Sequence, residues 1–235
     1  MLIEMLELEG INVVSANTDG IVCLFDESLN DKYYEICHKW ESIVGNENLG
    51  QLEYVDYEFL AQTSVNDYIA LTQDGTVKKK GDFLTEFELH KNKSRRIVPL
   101  ALEQYFINKI KPEVFIKNHN NIYDFCLAIK GNSESSFYLI DVLSNQKEKL
   151  QKINRFYISN SKNILIKELP PLENKKITNQ IDIFGDIDTG ERITRIEVGY
   201  NVTIFNKFVE KNDYDINYNY YISKCYEIIN KIQNE

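Results

Sequence analysis

The sequence predicts an α+β protein, because the spacing of its apolar residues changes between helical and alternating several times along the 235 residues. Residues 2–9 place apolar side chains between glutamates at helical spacing, and Gly10 follows as a stop signal. Two β-rich runs at 11–16 and 21–25 flank a turn that contains Asp-Gly. This combination predicts a helix followed by a hairpin.

The next elements are predicted in the same way. Apolar residues at helical spacing indicate an amphipathic helix over 28–44 that packs on a sheet. Strand character runs over 52–71, and a turn at 73–75 leads into a further strand at 76–83. The first segment is therefore expected to be helix, hairpin, helix and antiparallel strands.

Composition changes near residue 88, so we expect two domains, 1–88 and 89–235. Ser94 is predicted to cap a helix that has Pro99 near its start, and a second helix is expected over 122–129. Short strands and a closing helix are expected further on, at 137–143, 155–158, 164–169, 193–205 and, for the helix, 220–232. The second domain is predicted to be mixed and largely helical, with short strands.

Composition narrows the class of protein. Hydrophobic residues make up 43% and charged residues 27%, as in ordinary globular proteins. No apolar run reaches the roughly 18 residues of a membrane span, and glutamates replace a basic leader in the first ten residues. We therefore expect no membrane partner and a cytoplasmic location. The four cysteines are far apart in the sequence, which predicts buried free thiols.

The net charge of −9 is distributed unevenly. Residues 1–77 carry −13, whereas residues 78–117 carry +5. An acidic segment followed by a basic one suggests a site that handles both cations and a polyanion. A solvated charged face is the alternative interpretation.

Few residues fit a known catalytic pattern. The three histidines have no metal-binding or triad partners at the required spacing, and no glycine-rich phosphate loop is present. Asp19 remains as the candidate, because a tight turn between apolar strands would hold its carboxylate in place for a cation such as Mg²⁺. By pattern alone, Asp-Gly is first of all a good turn former.

Residues 13–22 (VVSANTDGIV) resemble the motif C hairpin of family B DNA polymerases, in the form found in bacteriophage replicative enzymes. The resemblance continues in order through four further segments, at 52–54, 65–70, 77–81 and 91–106, and it returns at 199–221. It implies that residues 1–88 form the carboxyl-terminal part of a polymerase palm domain. Residues 89–235 would then form the thumb.

The resemblance also implies roles for individual residues. Asp19 takes the place of the metal-binding second aspartate of motif C, whereas Asn17 replaces the first, and Glu53 stands near a further palm carboxylate. Thr18 and Tyr68 match positions at the primer-template, although Asn66 occupies the place of an expected lysine. The basic residues between palm and thumb are expected to contact phosphates: Lys78, Lys80, Lys91, Lys93, Arg95 and Arg96.

The predicted activity is template-directed addition of deoxynucleotides to a primer, with deoxynucleoside triphosphates and primer-template DNA as partners and two Mg²⁺ ions as cofactors. The family's motifs A and B are absent from the sequence, and the helical pattern already includes Met1. We therefore expect an inactive carboxyl-terminal piece that needs an upstream polymerase half.

Two other functions stay open. The protein could be a non-catalytic DNA-binding or accessory protein derived from a polymerase, in which Asp19 only forms a turn. It could also be an unrelated α+β protein that binds no DNA.

Overall fold

The computed structural model describes residues 1–18, 20–45, 52–85, 94–170, 192–208 and 214–233. Within them the protein is α+β, and every strand ladder is antiparallel. The chain divides into two compact units, the first formed by Met1–Leu84 with Asn230–Glu235 and the second by Thr85–Ile229. The predicted boundary between 88 and 89 lies outside the described residues.

The first unit has the predicted order of helix, hairpin, helix and strands. Its elements are α1 (Leu2–Glu7), β1 (Asn12–Ala16), β2 (Ile21–Leu24), α2 (Asn30–Val44), β3 (Tyr57–Ser64), β4 (Asp67–Thr72) and β5 (Val77–Lys80). β1 pairs with β2, and β3, β4 and β5 form a sheet in that order. The predicted strand over 52–71 is wrong in two respects, because residues 52–56 are not strand and a turn at 65–66 divides the remainder into β3 and β4.

A small core holds the hairpin against the two helices. Leu6 of α1, Ile11 and two residues of α2, Ile36 and Cys37, are buried together. Partly buried side chains of both hairpin strands pack on this core, among them Val13. Apolar contact on one face thus anchors the hairpin, since sliding either strand would expose that surface to water.

The second unit contains more strand than predicted. Its helices are α3 (Ile97–Phe106), α4 (Pro112–Asn118), α5 (Ile122–Phe125) and α6 (Tyr218–Gln233), of which the last has its final residues, from Asn230 on, in the first unit. Its strands are β6 (Leu127–Lys130), β7 (Ser136–Asp141), β8 (Lys147–Lys149), β9 (Ile153–Ser159), β10 (Asn163–Leu169), β11 (Arg192–Ile196) and β12 (Asn201–Ile204). The described strands form two sheets, ordered β11-β10-β7-β8 and β12-β9-β6. Helix and strand are about equally represented among the described residues of this unit, so the expected mixture with short strands is present there but the prediction that helix predominates is wrong.

Three local predictions for this unit are also wrong. The helix expected over 122–129 ends at Phe125, and β6 follows because its backbone pairs with β9. Ser94 does not cap α3, since its hydroxyl accepts a hydrogen bond from the N–H of Ala128 at 3.0 Å. The strand expected over 193–205 is broken where Gly199 takes a φ of 87°.

Tyr221 joins three elements of this core. Its hydroxyl accepts a hydrogen bond from the N–H of Ile158 in β9 at 2.9 Å and donates one to the carbonyl of Phe125 at 2.8 Å. Burial raises the pKa of Tyr221 well above its usual value. The neutral phenol therefore connects α6, β9 and the end of α5 at any ordinary pH.

Candidate nucleic-acid interface and metal position

The hairpin turn is closed by two hydrogen bonds between the residues that flank Thr18 and Asp19 in the sequence. The N–H of Asn17 donates to the carbonyl of Gly20, and the N–H of Gly20 donates to the side-chain oxygen of Asn17, each at 2.9 Å. Asn17 thus has a structural role in closing this turn. Thr18 is exposed, whereas Asp19 itself lies outside the described residues.

A β-bulge lies at Val14, between two regular pairs of the hairpin. Val13 pairs with Cys23, and Ser15 pairs with Val22. The bulge gives β1 one extra residue and increases its local twist. It therefore influences the direction in which the hairpin leaves the core.

Glu53, the second predicted metal ligand, is exposed and precedes β3. The N–H of Leu52 donates to the Glu41 carboxylate at 2.8 Å, which attaches this segment to α2. That bond and the contact with His38 lower the pKa of Glu41. Among the described residues no three His, Cys, Asp or Glu side chains form a group that could hold a metal ion.

The sheet of β3, β4 and β5 brings together three of the four predicted nucleic-acid residues of the first unit, all except Thr18. Tyr68 lies opposite Lys80 and Gln62, and Ala70 lies opposite Lys78. Since alternate residues of a strand share a face, Tyr68, Lys78 and Lys80 belong to one side of the sheet. The ammonium of Lys78 also lies 5.7 Å from the ring centre of Tyr57. We call these four residues the Lys/Tyr face.

A polar link connects the Lys/Tyr face with the hairpin. The side-chain amide of Gln62 donates to the carbonyl of Val14 at 3.4 Å. Because Gln62 is opposite Tyr68, this contact brings the edge of the sheet close to β1. Neither Gln62 nor Tyr57 was identified from the sequence, where alternation along β3 was the only available signal.

Asp67 fastens the end of β5 to the start of β4. Its carboxylate accepts a hydrogen bond from the N–H of Asp82 at 2.7 Å and another from the hydroxyl of Thr63. The chain passes so close here that a Cβ on Gly81 would stand 2.5 Å from the Asp67 carboxylate. Lys80 is thereby held across from Tyr68.

We expect Gly81→Ala to lower the free energy of unfolding of the protein by about 2 to 4 kcal/mol, from backbone strain plus a steric clash. Gly81 has a φ of +66°, and a Cβ there would also meet the Asn66 carbonyl at 2.7 Å. Gly75→Ala is the matched control, since Gly75 has a φ of +83° but no atom within 4 Å of the added Cβ. Urea denaturation should give a loss of only about 1 kcal/mol for the control. Equal losses would show that the close approach at Gly81 is unimportant.

The two predicted arginines lie in the second unit, and each makes contacts inside it. The guanidinium of Arg95 donates to the hydroxyl of Tyr220 at 2.9 Å. Arg96 donates to the carbonyl of Thr85 at 2.6 Å and to the carboxylate of Asp124 at 3.0 Å. The other two members of the predicted basic cluster, Lys91 and Lys93, lie outside the described residues.

Asp124 is the centre of a buried polar cluster that the sequence did not reveal. Besides Arg96, it accepts a hydrogen bond from the side-chain amide of Asn121 at 3.0 Å and lies 2.7 Å from Nε2 of His119. Burial opposes its ionisation, yet the hydrogen bonds from His119 and Arg96 hold the pKa of Asp124 below its usual value. This cluster orders the start of α3 against α5.

The prediction of buried free thiols is confirmed for three of the four cysteines. All four are free, and three of them, Cys37, Cys126 and Cys225, are buried as predicted. Cys23 is half-buried, and desolvation raises its pKa to about 11. A protonated thiol is a poor metal ligand.

No protein-family model matches this chain, and no curated protein matches it significantly. Among the described residues no helix is long and apolar enough to cross a membrane.

Proposed function

We propose that this chain is the carboxyl-terminal palm and thumb part of a family B DNA polymerase of the bacteriophage type. The observation that carries the proposal is the closed hairpin between α1 and α2, which bears the motif C-like residues Asn17, Thr18 and Asp19 in sequence. The Lys/Tyr face, linked to the same hairpin through Gln62, supports it. Residues 1–88 would belong to the palm and residues 89–235 to the thumb.

Asp19 is the proposed catalytic metal ligand, with Glu53 as a further carboxylate of the site. Carboxylate oxygens are the ligands that Mg²⁺ prefers, so the chemistry of this donor set suits the ion. Bound Mg²⁺ would stabilise charge on the primer 3′-oxygen and on the departing pyrophosphate. Since Asp19 and Glu53 cannot surround two ions, the remaining ligands would come from a segment carrying motif A.

The reaction is an in-line substitution at phosphorus. The primer 3′-oxygen forms a bond to the α-phosphorus of a deoxynucleoside triphosphate, and the bond to the pyrophosphate oxygen breaks. The 3′-hydroxyl proton leaves to solvent. A segment carrying motif B would bind the incoming nucleotide, because this chain has no such sequence.

The Lys/Tyr face is the proposed contact with duplex DNA, together with Thr18. Lysine ammonium groups bind phosphates without regard to sequence, as a polymerase requires. In the proposed thumb, Lys91 and Lys93 would add phosphate contacts. Arg95 and Arg96 would add charge at the same point of the chain, in addition to their internal contacts with Tyr220 and Asp124.

Primer extension tests the proposed activity. The chain alone should incorporate no nucleotide. Mixed with the product of an upstream reading frame that carries motifs A and B, it should incorporate deoxynucleotides in a Mg²⁺-dependent manner. Incorporation by the chain alone, or none in the mixture, would overturn the proposal.

Replacing both Lys78 and Lys80 with glutamine should weaken the binding of the protein to a primer-template duplex by about tenfold at 0.1 M salt. The slope of log affinity against log salt should fall by about two, because two phosphate contacts are lost. Fluorescence anisotropy of a labelled duplex measures both quantities. Lys149→Gln with Lys162→Gln is a control of equal charge, since both lysines are exposed in the second unit.

The accessory-protein alternative shares this expectation, because the Lys/Tyr face would bind duplex with or without catalysis. It differs in predicting no Mg²⁺-dependent stimulation in the mixture. If removing both charges leaves duplex affinity and its salt dependence at the control level, DNA binding by this face is excluded.

A further inference from the structure

An exposed aromatic surface lies in the second unit, far along the chain from the hairpin. Its members are Tyr123 of α5, Arg155 of β9, Phe205 just after β12, and Phe208. Tyr123 is 43% exposed and Phe208 is 59% exposed, which is unusual for rings of this size in contact with one another. We call this set the Tyr123 platform.

The rings of the platform are arranged around one buried phenylalanine. Phe205 is only 6% exposed and meets Tyr123 and Phe208 edge to face, with centroids 5.6 Å and 6.3 Å away. Tyr123 and Phe208 are nearly parallel, at an angle of 15° and a centroid distance of 6.1 Å. The buried ring thus supports two exposed rings of similar orientation.

A cation completes the platform. The guanidinium carbon of Arg155 lies 5.3 Å from the ring centre of Tyr123, and Arg155 is exposed. Lys207, also exposed, precedes Phe208 in the sequence. Partly exposed aromatic rings and positive charge therefore lie side by side on this surface.

Backbone and side-chain hydrogen bonds hold these residues in place. Asn206 accepts from the N–H of Arg155 at 2.8 Å and donates to the side chain of Asn154 at 3.0 Å. The N–H of Phe205 donates to the carbonyl of Arg155 at 2.7 Å, and Asn121 caps α5 by accepting from the N–H of Tyr123. A surface ordered in this way loses little entropy when it binds a ligand.

The ligand that fits is an anionic chain that carries planar groups. Unpaired nucleobases stack on aromatic side chains, and their phosphates pair with arginine and lysine, whereas a duplex hides its base faces. A protein partner would need apolar volume here, for which a leucine would serve as well as a phenylalanine.

We propose that the Tyr123 platform binds single-stranded DNA, with bases stacked on Tyr123 and Phe208 and phosphates at Arg155. This site goes beyond the proposed function, since it needs neither Asp19 nor Mg²⁺. Only the choice of DNA over RNA rests on the proposed function.

Fluorescence anisotropy of labelled oligo(dT), measured on the full chain in EDTA, tests this site. Phe208→Leu keeps apolar volume but removes the aromatic face, so we expect an affinity loss of about tenfold, and a similar loss for Tyr123→Ala. Arg155→Gln should weaken binding and reduce its salt dependence. Leu143→Ala and Arg192→Gln are matched controls, because both side chains are exposed elsewhere in the second unit.

Retention of affinity in Phe208→Leu would overturn the stacking proposal and favour an apolar protein partner. Absence of oligo(dT) binding, or tighter binding of oligo(U), would also overturn it. Thermal unfolding of each variant should match that of the unsubstituted chain, and Phe208→Tyr, which keeps the ring, should retain binding. Failure of the primer-extension mixture would leave oligonucleotide binding by the platform unaffected, because the binding assay needs neither Asp19 nor Mg²⁺.

Discussion

Replacing Asp124 with alanine is expected to lower the free energy of unfolding of the protein by about 3 kcal/mol. The substitution leaves the Arg96 charge without its carboxylate and removes the acceptor for Asn121 and His119. The Asp124 side chain is only 7% exposed, so water cannot replace it well. Because Arg96 is 31% exposed, the expected loss of stability lies at the lower end of the range for breaking buried ion pairs.

The same cluster should make stability depend on pH. The pKa of Asp124 is lower in the folded protein than its ordinary value of 3.8, so its contribution is complete above that value. It is lost as the pH falls through the folded pKa, because the folded state must then accept a proton on a carboxylate that it holds ionised. Acidification below about pH 4 should therefore destabilise the unsubstituted protein.

Urea denaturation at pH 7 and pH 3 measures both effects. The Asp124→Asn variant keeps the volume of the side chain but cannot titrate, so its stability should change less between the two pH values. Glu148→Ala, at an exposed position in β8, should stay within about 0.5 kcal/mol of the unsubstituted protein. If the Asp124→Ala variant were as stable as the Glu148→Ala control, the structural role of the cluster would be refuted.

Replacing Asp19 with alanine should reduce Mg²⁺-dependent incorporation in the primer-extension mixture by about 1000-fold or more, which corresponds to about 4 kcal/mol in the activation barrier. The reason is the loss of a metal ligand at the reacting phosphate, where charge develops in the transition state. Duplex affinity should change by less than about twofold, since phosphates bind the Lys/Tyr face through its lysines.

Two variants separate catalysis from folding of the hairpin. Asp19→Asn retains the turn-forming ability of aspartate but lacks its charge, so it should be nearly as inactive as Asp19→Ala. Asp26→Ala removes a carboxylate that accepts from the N–H of Ser28 just after the same hairpin, and it should leave incorporation near the original rate. Full activity in Asp19→Ala would exclude a metal-binding role for that residue.

Elements with strong local signals were predicted correctly. The hairpin, α2 and α6 follow from turn residues and from apolar periodicity that a single segment contains. α4 was missed although Pro112 marks its first turn, because seven residues show too little periodicity. β6 was predicted as helix, since its strand conformation comes from pairing with β9, about 25 residues later.

The candidate site likewise has some features that can be predicted from the sequence and others that depend on the tertiary structure. The residue types at 17–20 and the lysines at 78 and 80 can be read in order along the chain, and they led to the polymerase proposal. That Tyr68 faces Lys80 depends on strand register, which the contact of Asp67 with Asp82 helps to hold.

The sequence by itself determined the α+β class, the hairpin between two helices and the acidic-to-basic change in charge, because each depends on neighbouring residues. Only the tertiary structure decided which distant side chains meet. Tyr123 contacts both Arg155 and Phe208, although Tyr123 and Phe208 are more than 80 residues apart in the sequence. Arg96 and Asp124 form a hydrogen bond although they are 28 residues apart. These contacts depend on packing and strand pairing over the whole unit, and no local sequence pattern encodes them.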